Sequence, residues 1–425
     1  MTEYRLDAMN LPAPQALFFQ TLFGDVKTIN DNKAISFEGR DSRFMDITTL
    51  IVRPCYDHLL PQVHNALYRK DSTSPYKFAV TGTPGIGKTL FGVYMVRHFV
   101  VSEKKTVLYW IGNRIFLFSF DEKVIDACNL THELTTIEGR TLYCGEWNTV
   151  NNQDWVKLIE MAAQLDIWFI HDPNEGDTRV SEERASIPNL VFVLSYGHSL
   201  ISQWNSKGFK IEYFYVPLWT QQEALKCLDL LGVVTNDATP EKVAAENFFR
   251  YGGCIQAWVS ETLWDELRAK ISEVVKKLGD DVLRKTTSSR GSVIHQYVDF
   301  DEMKAPLDFV RVPCDTPYDR RNDLTHNTFT KEDTHFIFGS EEMMLLFYNG
   351  LTQRSDEAFK KCLQNWAGEN GFESIYGAMF ELYCHRQLEN ANFGQPLNMR
   401  IVYADDTRNT NNIYQVRIPR LGQTV

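Results

Sequence analysis

The sequence predicts an α/β fold, a parallel sheet flanked by helices, on three observations. Four short apolar bursts, KFAVTG, KTVLYWIG, LDIWFIHD and NLVFVLSYG, have the length and the β-branched or aromatic content of buried parallel strands. The segments between them are long enough for crossover helices. Between the first burst and the helical pattern LFGVYMVRHFV stand Gly82, Thr83, Pro84, Gly85, Ile86, Gly87, Lys88 and Thr89, a match to G-x-x-x-x-G-K-[ST] in its required strand-to-helix context. Strand, glycine-rich loop and helix in that order specify a P-loop NTPase, and residues 76–220 are read as its core.

Composition sets the outer bounds. The chain has 425 residues, 44% of them hydrophobic and 23% charged, with 24 Gly and 15 Pro, so it has the composition of a folded protein rather than a low-complexity, collagen-like or coiled-coil one. A net charge of −11 argues against coating nucleic acid or anionic membrane by bulk electrostatics. The eight cysteines stand singly, without CxxC or metal-ligand spacing, and read as reduced thiols. No apolar run reaches the roughly 18–20 residues of a membrane span, and MTEYRLDAMNLPAPQ lacks a signal-peptide pattern. On these grounds a cytoplasmic chain is expected.

The remaining elements follow in order. Residues 1–75 form an N-terminal region ending in a helical pattern of Leu59, Leu60, Val63 and Leu67, and DSTSPY reads as a hinge. After Pro217 the pattern turns helical: TQQEALKCLDLLG, TPEKVAAENFFRYGG and AWVSETLWDELRAKISEVVKKLG make residues 221–290 a helical subdomain, with Asp237 or Thr239 capping ahead of Pro240. Residues 291–425 form the C-terminal region, with helices from Ser340 to about Leu388 and strands and loops from Phe393.

The loop motif carries chemistry. Its glycines let backbone N–H groups and a helix N-terminus face a β-phosphate, Lys88 reaches the β/γ oxygens, and the Thr89 hydroxyl is placed for Mg²⁺, with Leu90 on the helical side of the cradle. ATP and Mg²⁺ are the expected ligands, since no N-K-x-D guanine signature ends a strand. The second Mg²⁺ anchor is Asp172, at the end of Ile167-Trp168-Phe169-Ile170-His171. Glu175 is the candidate to orient water, although a catalytic glutamate usually follows the aspartate directly. Ser195, ending Leu190 to Leu194, stands where related ATPases sense the γ-phosphate; a capping serine is the alternative. Arg179 and Arg184 flank a charged loop and could act as a lid on that phosphate. Lys276, Lys277, Arg284, Lys285 and Arg290 read as a solvated helix face before a DNA patch, and the run Tyr109 to Phe120 reads as core and subunit-facing surface.

The segments Ile51-Val52-Arg53-Pro54-Cys55-Tyr56, TGTPGIGKT, Val216-Pro217-Leu218-Trp219-Thr220 with Glu223, and Phe249-Arg250-Tyr251-Gly252-Gly253 together resemble the Crinkler effectors of oomycetes and fungi and the retrotransposon hot spot proteins of trypanosomes. Tyr376-Gly377-Ala378-Met379-Phe380-Glu381 with His385 looks like the first helix of a restriction-endonuclease-like fold, so the C-terminal region from about residue 340 is expected to be partly nuclease-like, α+β in class. The resemblance implies a secreted effector that reaches host nuclei, an ATPase coupled to a nuclease-like region, and DNA as target; a host protein is a possible further partner, and an oligomer is possible. Cys254-Ile255-Gln256 replaces the family's proline and arginine, which leaves Arg250 as a weaker substitute for a nucleotide-sensing arginine. No acid-x-Lys pair follows Glu381, the remaining aspartates are Asp405 and Asp406, and the last lysine is Lys361. This chain is therefore expected to lack nuclease activity of its own, and a truncated form of a longer protein is the favoured explanation. Two other readings stand beside the ATPase effector: an ATP-held protein-interaction switch with little turnover, and a P-loop kinase of a small substrate.

Overall fold

The computed structural model describes residues 11–24, 49–68, 76–82, 85–148, 167–173, 190–193, 210–230 and 239–255, together with 8–9, 27–29, 32–36, 310–313, 334–337, 340–353, 377–384, 396–400, 413–417 and a few helical residues between these. Helix α1 (Ala13–Phe23) opens the chain, followed by an antiparallel sheet of β1 (Lys27–Ile29), β2 (Asn32–Ser36) and β3 (Thr49–Ile51). Helix α2 (Pro54–Leu67) starts with proline at its first position, where a missing N–H costs nothing.

The central sheet has eight strands. They are β4 (Tyr76–Thr81), β5 (Thr106–Ile111), β6 (Arg114–Ser119), β7 (His132–Ile137), β8 (Arg140–Asn148), β9 (Ile167–Asp172), β10 (Leu190–Val193) and β11 (Lys210–Tyr215), in the spatial order β11-β4-β10-β9-β5-β6-β8-β7. From β11 to β5 every neighbouring pair is parallel. Beyond β5 the pairs β5/β6, β6/β8 and β7/β8 are antiparallel. The predicted sheet of parallel strands is thus a mixed one, a parallel P-loop core widened by an antiparallel extension.

The apolar runs are continuous because both faces of this sheet are covered. Val80, Val107, Tyr109, Ile170, Val191 and Val193 pack in one core, with helices α2 and α3 (Lys88–Arg97). Ala79, Leu108, Trp110, Phe169, Leu190 and Phe192 alternate with them into a second core on the other face, with α4 (Glu122–Ala127). Phe19 of α1 meets Phe116 and Phe118 of β6 at ring separations of 5.0 and 4.8 Å, which closes the antiparallel extension from one side. The aromatic run Tyr109 to Phe120 is therefore a hairpin in the core, with Tyr109, Trp110, Phe116, Phe118 and Phe120 all buried.

Helices α5 (Gln221–Leu230) and α6 (Pro240–Tyr251) pack on each other after β11. Helix α6 takes the predicted cap, the Thr239 side chain accepting from Lys242 N–H. Helix α5 begins with a reciprocal pair: Glu223 N–H donates to Thr220 Oγ1 and Thr220 N–H donates to Glu223 Oε2. In the C-terminal region β12 (Val310–Pro313) pairs with β13 (Thr334–Ile337), α7 (Glu341–Thr352) follows, and β14 (Pro396–Arg400) pairs with β15 (Ile413–Arg417). Among the described residues no helix is long and apolar enough to cross a membrane.

Candidate functional site

The loop from β4 to α3 leaves the C-terminal end of β4, which β10 separates from β9 in the parallel part of the sheet. Gly82, Gly85 and Gly87 have φ of 146°, 77° and 95°, conformations that L side chains rarely adopt. Gly87 is the N-cap of α3, so the helix starts at Lys88 with its N–H groups facing the loop. Thr83 and Pro84 lie outside the described residues, while Ile86 is buried under the loop and Leu90 packs against the core.

Lys88 is only 8% exposed, and burial pushes its ammonium down to about 8 against the opposing pull of Asp172 and Cys254. Asp172 ends β9 as predicted. Burial raises its carboxyl to about 6, although a hydrogen bond from Thr89 and the charge of Lys88 both work the other way. Asp172 Oδ2 is buried with no hydrogen-bond partner among the described residues. Lys88, Thr89 and Asp172, 84 positions apart at the extremes, thus meet in one place at a helix N-terminus. Each charge in that place is held at a cost, and such perturbed pairs mark candidate sites.

Glu175, Ser195, Arg179 and Arg184 lie outside the described residues, as do Lys276, Lys277, Arg284, Lys285, Arg290, His385, Asp405 and Asp406. Arg250 is exposed near the end of α6, and Glu381 is exposed on the helical stretch 377–384. Cys254, which follows the Gly252-Gly253 pair, is a buried free cysteine. Among the described residues no group of three or more His, Cys, Asp or Glu is arranged to hold a metal.

Sequence reasoning gave no role to the layer behind the loop. Arg53, the residue before α2, is fully buried and bonds the Glu223 carboxylate twice, from Nε and Nη2, each at 3.2 Å. Its guanidinium also donates to Pro217 O at 2.9 Å, Leu218 O at 2.8 Å and Ile86 O at 3.4 Å, and stacks 4.6 Å from the Trp219 ring centre. Burial opposes the Arg53 charge, but Cys55 and Glu223 outweigh it, so the guanidinium is held more firmly protonated than usual. Trp219 Nε1–H donates to Ile86 O at 2.9 Å, and Tyr56 O–H donates to Gly87 O at 3.1 Å. Gly253 completes the packing: a Cβ there would sit 2.5 Å from Trp219 O, and Trp219 N–H donates to Gly253 O at 3.1 Å. The segments that carry the family resemblance at residues 51–56, 216–223 and 249–253 therefore converge on the back of the loop. A single sequence offers no signal for that convergence, because Arg53 and Glu223 are 170 positions apart.

No family model matches the chain. Crinkler effector proteins 15 and 16 of Phytophthora infestans are each 26% identical over 181 residues, which is 41% of this chain. The matched segment spans 23% of each relative, about a quarter of its length. Among solved structures, a Walker-type ATPase of Pyrococcus abyssi aligns over 77% of this chain and 99% of its own at 11% identity with a TM-score of 0.35. Cdc6p of Pyrobaculum aerophilum aligns over 75% and 99% at 10% identity with a TM-score of 0.26. The fold class stands on the chain's own topology: a P-loop between β4 and α3 in a parallel sheet core, with the acidic strand end of β9 beside it.

Proposed function

We propose that this chain binds ATP with Mg²⁺ at the β4–α3 loop and hydrolyses it. The observation that carries the reading is the convergence of a buried lysine, a threonine hydroxyl and a half-partnered buried carboxylate on one helix N-terminus. The N–H groups at the start of α3 and the Lys88 ammonium would neutralise the phosphates. Thr89 and Asp172 fit Mg²⁺, which is usually held by one or two protein oxygens and completed by phosphate and water. The ion's contribution there is to offset the charge of the β- and γ-oxygens. Glu175 is proposed to orient the attacking water, Ser195 to sense the γ-phosphate, and Gly82 to Leu90 to line the cradle.

The finer reading divides the chain into a nucleotide core at 76–220, a helical subdomain at 221–290 and a C-terminal region at 291–425 whose movement is driven by turnover. DNA as the target and delivery into a host cell rest on the likeness to the Crinkler effectors over 181 residues. Steady-state phosphate release, with and without DNA, is the test. Release that needs Mg²⁺ and Lys88 and rises with DNA supports both levels. Release unaffected by DNA removes the DNA coupling, and none at all in a chain that still binds ATP leaves a switch.

A further inference from the structure

The back of the loop is built to hold its carbonyls. A phosphate cradle works only if its N–H groups face the ligand, and in a planar trans peptide the C=O of one residue points opposite to the N–H of the next. The carbonyl behind each cradle amide therefore has to point into the protein and find a donor there. Ile86 O has two, Trp219 Nε1–H and Arg53 Nη1–H. Gly87 O has the Tyr56 hydroxyl besides the helical Phe91 N–H.

We propose that Tyr56 and Trp219, with Arg53 behind them, are positioning residues of the phosphate cradle that lock the Gly87 and Lys88 amides toward the ligand from the far side. The proposal rests on the nucleotide-binding reading above. Trp219 is itself held by the Arg53 guanidinium on its ring and by Gly253 O on its backbone N–H, and Arg53 is anchored on Glu223. Tyr56 is clamped between Phe91 and Tyr94 at ring separations of 5.0 and 5.5 Å, so its hydroxyl has little freedom to leave Gly87 O. Gly87 at φ 95° has glycine's backbone latitude, and these donors add to the helical Phe91 N–H bond in fixing its flanking peptides. Because Glu223 opens α5 and Gly253 follows α6, the same network ties the cradle to the helical subdomain.

The test removes donors and keeps rings. Tyr56→Phe combined with Trp219→Phe is compared with wild type, Lys88→Ala and a control, Thr106→Val, which breaks the buried Thr106–Ser119 bond between β5 and β6. Displacement of a fluorescent ADP analogue by ADP and by inorganic pyrophosphate is measured below the melting temperature of every variant, with near-ultraviolet circular dichroism to verify folding. The double variant is expected to lose about tenfold or more in affinity for both ligands by the same factor, and Thr106→Val to lose stability with no loss of affinity. Wild-type affinity in a folded double variant overturns the proposal alone, since Lys88→Ala still reports on the site. A wild-type chain that binds neither ligand overturns the nucleotide reading and this proposal with it. Should the double variant not fold, Tyr56→Phe by itself carries the test, with a threefold loss expected and no change overturning the proposal.

Discussion

Asp172→Asn should make the ligand-free chain more stable while weakening its Mg²⁺-dependent binding of nucleotide. The Asp172 carboxyl is held up to about 6 from its ordinary 3.8, chiefly by burial. At 1.36 kcal/mol per pH unit, ionising it in the folded chain costs ~3 kcal/mol more than in the unfolded one, and that figure already contains the attraction of Lys88. The sign follows from proton binding. Between pH 3.8 and about 6 the folded state binds the proton more tightly than the unfolded state, so this group's contribution to stability is present at low pH and is lost as pH rises through that window. Above it the wild type bears the full cost and the asparagine variant does not. For a domain of roughly 150–250 residues, ~3 kcal/mol corresponds to an upper bound of about 6–12 °C in melting temperature. The assay is thermal unfolding of both chains without nucleotide at pH 5 and pH 7.5. The variant's advantage should be full at pH 7.5 and about half as large at pH 5. An advantage equal at the two pH values, or a variant that melts lower at pH 7.5, refutes the reasoning.

Three further outcomes are expected. Lys88 is held down to about 8, so above that pH the free site must take up a proton to meet the phosphates; affinity for Mg·ATP should fall roughly fifteenfold between pH 8 and 9.5, and a flat profile contradicts this. Glu175→Gln should bind ATP with little change and hydrolyse it at least tenfold more slowly; hydrolysis at the wild-type rate moves the water-positioning role to Ser195 or another group. The purified chain should leave plasmid DNA intact with Mg²⁺ or Mn²⁺, since no acid-x-Lys pair follows Glu381; cleavage that disappears in Glu381→Ala contradicts that reading.

How much was legible in the sequence differs from one part of the fold to the next. The four apolar bursts became β4, β5, β9 and β10 because parallel strands buried on both faces leave an unbroken apolar signature. The loop was legible because its chemistry demands particular residues at fixed spacing, and Asp172 because a strand run ends on it. The antiparallel extension was not, since β5 and β6 merge into one aromatic run whose only punctuation is Gly112-Asn113, with Gly112 at φ 54°. Glu138 and Gly139, at φ 49° and 76°, form the tight turn between β7 and β8, and E-G between two apolar runs is a weaker hairpin signal than N-G or D-G. The brace behind the cradle was beyond reach for a different reason: Arg53, Trp219 and Glu223 acquire their meaning only from partners far along the chain. A lone arginine in sequence reads as surface, yet this one is 1% exposed and spends its donors on three carbonyls and a carboxylate.

The most direct test of the central claim is calorimetric titration of Mg·ATP into the wild-type chain and into Lys88→Ala at pH 7.5. Removing a buried cation from a phosphate site forfeits charge-assisted hydrogen bonds worth ~2–3 kcal/mol, or roughly a 30-fold to 150-fold loss of affinity. Saturable binding to wild type and a loss of that size in the variant are expected. Equal affinity in the two, or no binding to wild type, contradicts the claim.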